Sequence, residues 1–317
     1  MTKTALKILS LSLAAWAACA GRASAEPGLT AAPSLNAPLG ARSAALGQAF
    51  TAVPGSPESL NYNPGALAFA DGFSVTASYL RGFEDAGHSF LAAPLKFGPL
   101  VLTPGYMHFN AGDIALNLTG GVTGRVNAET DSAVYASAAY RFSERFGAGA
   151  TLKRVRIELA ETASASAMLF DAGALYSPGG GFTLGAALMN SGSGFKFEEA
   201  SDPAPAVKRL GAAWRVDINP PNLLDPSTDL THSDAMFTAD WIGAYKDRGY
   251  FQMGAELNME MRMGLTVSMR SGYQFDRPAE GLTFGLGFAA NKWAFDFSFD
   301  TGKEMNARQQ AGVTYKF

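Results

Sequence analysis

Apolar and polar residues alternate along most of the chain, and the alternation is clearest near its end. Large apolar residues occupy every second position in Leu282–Phe288 and in Trp293–Phe299, with small or polar residues between them. Successive side chains of a β-strand point to opposite faces, so each segment predicts a strand with one large apolar face. No segment with helical periodicity is available to cover that face. The pattern therefore predicts strands whose apolar face contacts lipid and whose polar face lines a lumen.

The same alternation predicts about fourteen strands from residue 73 onward, and bacterial barrels have an even number of strands. The predicted fold is an all-β, about 14-stranded antiparallel transmembrane β-barrel that occupies residues 71–317. Even-numbered turns are predicted to be short and periplasmic. The connection from Ile218 to Ser233 breaks this rule and indicates either an extended periplasmic loop or a miscounted strand. The predicted strands are 73–80, 87–97, 100–109, 131–142, 145–158, 164–177, 181–190, 206–217, 234–244, 249–259, 263–275, 281–290, 292–300 and 308–317.

The first residues and the composition favour a bacterial outer-membrane protein. A basic start, the apolar run Ile8–Ala20 and a small-residue site predict a signal peptide over residues 1–25, cleaved after Ala25. Cleavage before Cys19, as in a lipoprotein, is the alternative. Of 317 residues, 47% are apolar, 17% are charged and 35 are glycines. Soluble domains usually have about 25% charged residues, so this low fraction favours a barrel wall.

Charge and motif content argue against several function classes. Removal of the signal peptide leaves 22 basic and 28 acidic residues, a net charge of −6, which argues against nucleic acid as a partner. No Gly-x-Ser-x-Gly motif is present, and His88, His108 and His232 are not spaced as metal ligands. The run Met259–Met263 could suggest a soft metal, but lipid-facing and turn-packing methionines are the favoured interpretation. We therefore predict no enzyme activity, no cofactor and no metal.

Residues 26–70 differ from the predicted wall and form a separate segment rich in small residues. The spacing of apolar residues from Leu46 to Val53 predicts a short helix, and a turn cluster follows. Asn63 is a good N-cap, and Pro64 suits the first position of a helix. A compact segment of this kind predicts either a plug inside the lumen or a cap on the periplasmic end of the barrel.

Two motifs in this segment resemble a known family. Gly40 to Phe50 has the form Gly-Ala-Arg-x-x-x-Leu-Gly-x-Ala-Phe, and Asn63 to Leu67 has the form Asn-Pro-Gly-x-Leu. Both resemble amino-terminal motifs of PorV/PorQ-like outer-membrane proteins, within the wider FadL-type group of fatty-acid and hydrocarbon transporters. The third residue of the second motif is usually alanine in that family. The resemblance implies a hatch inside the barrel, with the motif residues Gly40, Ala41, Arg42, Gly47, Asn63, Pro64, Gly65 and Leu67.

The resemblance implies two possible roles. Members of the FadL-type group carry hydrophobic small molecules passively across the outer membrane, and this is the favoured function. PorV-like members are accessory or docking barrels in protein secretion, so binding of a secreted protein is the alternative. The expected partners are outer-membrane lipid and either a hydrophobic ligand or a secreted protein.

Pro104 and Gly105 interrupt the third predicted strand. Proline removes a donor from the hydrogen-bond ladder, and glycine weakens a strand interior. In the FadL-type group a kink in an early strand opens the wall sideways. The resemblance therefore makes these two residues candidates for a lateral gap, and an ordinary bulge is the alternative.

Five charged residues fall on the predicted polar faces of their strands. A lone arginine that faces lipid near mid-membrane costs roughly 2–4 kcal/mol, so we expect these residues in the lumen. They either tune the passage of solutes or pair with opposite charges that hold plug and wall together. The residues are Asp240, Glu256, Arg270, Asp296 and Asp300.

The last residues place Val313, Tyr315 and Phe317 at alternate positions. This ending resembles the closing-strand signal that the outer-membrane insertion machinery reads. The insertion machinery is therefore an expected partner.

Overall fold

The computed structural model describes residues 30–82, 85–117, 123–198, 201–218, 230–246, 249–277, 281–302 and 307–317. The predicted signal peptide and most of the connection after Ile218 lie outside these residues. Fourteen antiparallel strands form the wall and are numbered in chain order. They are β1 (Ser74–Arg81), β2 (Gly87–Ala92, continued by Leu95–Phe97), β3 (Leu100–Asn110), β4 (Glu129–Arg141), β5 (Phe146–Leu159), β6 (Ala163–Gly179), β7 (Phe182–Gly192), β8 (Val207–Asp217), β9 (Leu230–Ala244), β10 (Tyr250–Met261), β11 (Leu265–Gln274), β12 (Leu282–Ala290), β13 (Trp293–Asp300) and β14 (Arg308–Lys316).

The first and last strands pair, which closes the barrel. Ser74 lies opposite Lys316, and the register continues without a shift to Arg81 opposite Gln309. A closed wall leaves no open sheet edge, as the bilayer requires of a membrane-spanning sheet. The predicted 14-stranded antiparallel barrel is confirmed, and the strand bounds agree closely. The largest difference is at β9, which begins at Leu230.

The two ends of the barrel differ. At the turn end, where β1 begins and β14 ends, neighbouring strands are joined by short turns, such as residues 98–99 and 291–292. At the opposite, loop end, a hairpin of Asp113–Asn117 and Thr123–Asn127 extends the connection after β3. Short turns are typical of the periplasmic end of bacterial barrels, so by the same rule the loop end faces the cell exterior.

Aromatic side chains cover much of the outer face. Phe284 of β12 lies opposite Phe299 of β13, and both rings are exposed, as predicted. Phe182 and Trp214 stack at the turn end with ring centroids 5.6 Å apart. Aromatic girdles at the membrane interfaces are typical of outer-membrane barrels. Further exposed aromatic residues near the turn end are Phe97, Tyr140, Phe142, Phe146, Trp293 and Phe317.

The polarity of the two faces is reversed at the loop end of β5. Val155 and Ile157 are buried inside the barrel, whereas Arg154 and Arg156 point outward and are exposed. The expectation that charged residues face the lumen and apolar residues face lipid is therefore wrong here. The reason is that Val155 and Ile157 belong to a buried cluster with apolar residues of other elements, such as Leu35.

Residues 30–72, here called the N-terminal segment, pack against the inner face of the wall. The segment contains a short helix, α1 (Ala41–Ala45), and 3₁₀ helices at Pro33–Asn36, Pro57–Asn61 and Pro64–Phe69. The predicted helix over Leu46 to Val53 is wrong, because α1 ends earlier and the left-handed backbone of Gly47 follows (φ 62°). Within the described residues, no helix is long and apolar enough to cross a membrane.

Candidate functional site in the barrel lumen

Inward-facing glycines of the wall make room for the N-terminal segment. A Cβ at Gly149 would lie 2.5 Å from the carbonyl oxygen of Pro64, and one at Gly254 would lie 2.6 Å from that of Leu46. Glycine permits this close approach of one backbone to another. Together these residues form the glycine belt: Gly105, Gly147, Gly149, Gly173, Gly185, Gly211, Gly254, Gly272, Gly285 and Gly312.

A network of ion pairs joins helix α1 to β10, β11 and β13. Arg42 donates two hydrogen bonds to Glu256, at 2.8 and 2.7 Å. Arg270 donates to Glu256 and to Asp296, both at 2.6 Å. The Glu256 side chain is 1% exposed. Because this buried carboxylate has a guanidinium group on either side, its charge is compensated, and the bidentate geometry strengthens the link. We call this network the Glu256 latch.

A second latch holds the chain just after α1. Asp240 accepts hydrogen bonds from the backbone N–H groups of Phe50 and Thr51, each at 2.9 Å. Arg209 lies 3.2 Å from the same carboxylate oxygen and donates to the carbonyl of Gln48 at 2.8 Å. Both charged side chains are buried. Two strands of the wall therefore fix the backbone of the N-terminal segment directly.

Glu58 accepts hydrogen bonds at the start of α1. Its carboxylate binds the N–H of Ser43 at 2.7 Å and that of Arg42 at 3.3 Å. These N–H groups lack partners within the helix, and a negative charge is favourable there. Gly40 has no side chain where the Glu58 carboxylate lies. Burial and the nearby Asp296 raise the pKa of Glu58, and the hydrogen bonds from Ser43 oppose this effect.

Asn63 fixes the second predicted motif. Its Oδ1 accepts from the N–H of Gly65 at 3.0 Å, so the predicted cap of the following helix is present. Its Nδ2 donates to the carbonyl of Thr51 at 2.7 Å and to that of Ala174 in β6 at 3.0 Å. Leu67 and the other motif residue Ala41 are fully buried. The motif residues thus lie where the N-terminal segment meets the wall.

The lumen surface on β2 to β6 is largely apolar, with the charged side chains of Asp131, Lys153 and Asp171 buried within it. Phe90, Ile157 and Leu169 project inward and pack with Leu35 and Leu39 of the N-terminal segment in one buried cluster. Near the loop end, partly buried apolar residues continue this surface; they are Ala31, Phe109, Leu159 and Phe197. We call this surface the apolar half of the lumen. The opposite side, with the two latches, is charged.

A buried ion pair lies within the apolar half and was not predicted. Lys153 Nζ lies 2.8 Å from Asp171 and donates to Asn190 at 2.6 Å, and both charged side chains are 0% exposed. Asn190 also donates to Asn36 of the N-terminal segment at 3.0 Å. The alternation in β5 gave some indication of the inward position of Lys153, because Lys153 lies on the same face of the strand as the apolar residue Val155. The face that points inward could not be told from the sequence, since both faces carry charge.

The structure places all five predicted lumen charges on the inner side of the wall, each in an ion pair. Asp300 pairs with Arg308, and the other four belong to the latches. The alternative in which charges hold wall and segment together is therefore the one that the geometry favours. Arg209 was not predicted as a lumen residue, because the sequence around it in β8 does not show which face of the strand is polar.

The wall is continuous at Pro104 and Gly105. Register is kept from Ala92 opposite Gly105 to Leu95 opposite Leu102, and it is also unbroken along β4. The predicted lateral gap is therefore absent, and so is a bulge. Proline lacks one donor, but the Ala93 N–H still binds the carbonyl of Pro104 at 3.0 Å. Gly105 belongs to the glycine belt, where it admits Leu60.

Two small cavities lie between the described part of the N-terminal segment and the wall. One cavity of about 10 Å³ lies between Gln48 and Thr283, and another of similar size lies between Tyr62 and Met189. Each is about the size of one water molecule. A solute larger than water would fit neither cavity unless part of the segment moved.

His88 and His108 lie on the neighbouring strands β2 and β3, and His232 lies on β9. His88 is buried beside Phe109, His108 lies on the outer face, and His232 is 3.5 Å from Asp217. Within the described ranges, no three His, Cys, Asp or Glu residues are placed to hold a metal ion.

Solved structures show which known barrels the chain is similar to. The toluene transporter TodX of Pseudomonas putida is 12% identical, with a TM-score of 0.55 over 86% of this chain and 96% of that chain. A TodX deltaS2S3 mutant, described as a monoaromatic hydrocarbon channel, is 11% identical, with a TM-score of 0.53 over 87% and 98%. A FadL homologue of Pseudomonas aeruginosa is 13% identical, with a TM-score of 0.46 over 86% and 96%.

No family model matches the chain, and no curated protein matches its sequence. The likeness to TodX concerns the fold. The chain thus shares the β-barrel fold of these proteins.

Proposed function

We propose that this protein is a passive channel for apolar small molecules in the bacterial outer membrane, with residues 30–72 as its plug. The apolar half of the lumen carries the proposal. Porins have polar, water-filled interiors, whereas Phe90, Ile157 and Phe109 offer an apolar surface that begins near the loop end. An apolar solute gains roughly 25 cal/mol per Å² of surface removed from water. The names of the TodX structures, a toluene transporter and a hydrocarbon channel, support the same class of solute.

Passage requires movement of the N-terminal segment in this proposal. Ala32 and Leu35 fill the apolar half near the loop end, where a solute would enter. Displacement of Ala32 and Leu35 would expose the same apolar surface to the solute. Burial of the solute against that surface would offset part of the free energy needed to move the two residues. The ligand would be uncharged in that region, because Lys153 is already neutralised by Asp171.

A reversible lock between segment and wall tests this function. A Cβ built at Gly312 would lie 3.4 Å from that of Ala41, near the separation in a disulfide. We expect the Ala41→Cys, Gly312→Cys variant in liposomes to admit a fluorescent apolar probe slowly when oxidised. Reduction should restore the faster entry of the wild-type protein. Equal entry with wild-type protein and with protein-free liposomes would contradict the proposal.

The close packing of the segment favours docking as a second candidate function. Cavities of about 10 Å³ leave little space for flux. The narrower PorV/PorQ-like assignment depends on the motifs that begin at Gly40 and Asn63. In this alternative the loop end binds a secreted protein. Co-purification of secreted proteins with the oxidised and the reduced double variant, without probe entry in either state, would support docking.

A further inference from the structure

Two arginines lie on the outer face of β5, at the outer edge of its apolar band. Leu152, Arg154 and Arg156 occupy successive outward positions, and all three are exposed. Strand geometry places Arg154 roughly 20 Å above Phe146 of the turn end, for a strand tilted by about 40°. The apolar band of such barrels is about 25 Å tall, so the two arginines lie at its outer edge.

The strand register surrounds Arg156 with polar side chains. Arg156 lies opposite Ser132 of β4 and Ser166 of β6, and Ser132 lies opposite His108 of β3. One row across four strands is therefore polar on its outward side. The row below it is apolar except for Arg154, which lies between Val134 and Met168.

Neither arginine is tightly paired with an acidic side chain, so both can bind an anionic ligand. In the described part of the chain, Arg154 has no acidic side chain within ion-pair distance. Arg156 is 3.4 Å from Glu158, but both side chains are largely exposed, and such pairs contribute little. An outward arginine at the edge of a bilayer is favourable when anionic head groups lie beside it.

We propose that Arg154 and Arg156, with His108, Ser132 and Ser166, bind the phosphorylated head group of an outer-leaflet lipid. The Cα atoms of Arg154 and Arg156 are about 6.6 Å apart along the strand, a spacing from which two long side chains on one face can reach the same phosphate. The apolar side chains below, Leu152, Val134 and Met168, would contact the acyl chains of the same lipid. This lipid site is independent of the proposed channel, because it lies on the opposite face of the wall.

Lipid binding to purified full-length protein in detergent tests the site. The probe is a bisphosphorylated lipid A, compared with the same lipid after removal of its phosphates, and binding is measured by native mass spectrometry. We expect the Arg154→Gln, Arg156→Gln variant to bind the phosphorylated lipid at least about tenfold more weakly than wild type. The dephosphorylated lipid should bind weakly to both. The control Arg145→Gln removes an exposed charge at the turn end and should bind as wild type does.

Two results would overturn the proposal. One is equal binding of the phosphorylated lipid by wild type and the double variant, with both shown to be closed barrels by heat-modifiable gel migration. The other is displacement of the lipid by inorganic phosphate at equal concentration, which would mean that the site recognises free phosphate rather than a lipid.

Discussion

Replacing Arg42 with methionine is expected to release the N-terminal segment while the barrel stays closed. The change removes two charge-assisted hydrogen bonds to Glu256. Glu256 keeps Arg270 as a partner, so the wall retains its own ion pairs. We expect a loss of about 2–3 kcal/mol in docking of the segment, or about a hundredfold in the ratio of released to docked protein.

Two readouts report this release. Chymotrypsin cleaves after Phe50 and Tyr62, which are both buried in the wild type, so cleavage should become faster. A Ser59→Cys probe, buried in the wild type, should react faster with a thiol reagent. Arg262→Met is the control, because Arg262 is exposed in a turn. Unchanged cleavage and labelling in the Arg42→Met variant would mean that backbone packing alone holds the segment.

Replacing Gly173 with valine is expected to expel the segment by steric conflict. A Cβ at Gly173 would lie 3.0 Å from Cδ of Pro64 and 3.1 Å from Cγ of Asn63. Valine suits a strand, so the wall itself should still form. Overpacking of this kind usually costs about 1–3 kcal/mol, and Asn63 would also lose its bond to Ala174.

The readouts for Gly173→Val are probe entry into liposomes and protease sensitivity, and both should increase several-fold. Gly149→Val should behave in the same way, because it also meets Pro64. Gly124→Val is the matched control, since a Cβ at Gly124 has no atom within 4 Å. If Gly173→Val and Gly124→Val gave the same sensitivity, the glycine belt would have no part in holding the segment.

The wall was predictable from the sequence because its signal is local. Alternation within a strand, as in Trp293–Phe299, fixes both the strand and its outward face without knowledge of any neighbour. The inward position of Glu256 and Arg270 followed from the same alternation. The closure between β1 and β14 was an expectation from membrane physics rather than from any residue pair.

The lumen was less predictable because its contacts are distant in sequence. Arg42 and Glu256 were both singled out, yet nothing in the chain indicates that they pair across 214 residues. The face that β5 turns inward depends on apolar residues from elsewhere, so Lys153 was missed. The short helix was misplaced because Gly47 ends it at the wall, a tertiary effect.

The glycine belt also constrains the order in which the molecule is made. The side chain of Gln310 donates a hydrogen bond to the carbonyl of Pro38, which is 272 residues away in the sequence. The rest of the N-terminal segment contacts strands all around the wall. Inserting the N-terminal segment into a closed barrel would require its backbone to move past the glycine belt, where the gap is too narrow for a methyl group. Biogenesis should therefore enclose the segment as the sheet curls, with β1 and β14 joining last. Such distant pairing slows folding, so this step is expected to limit its rate.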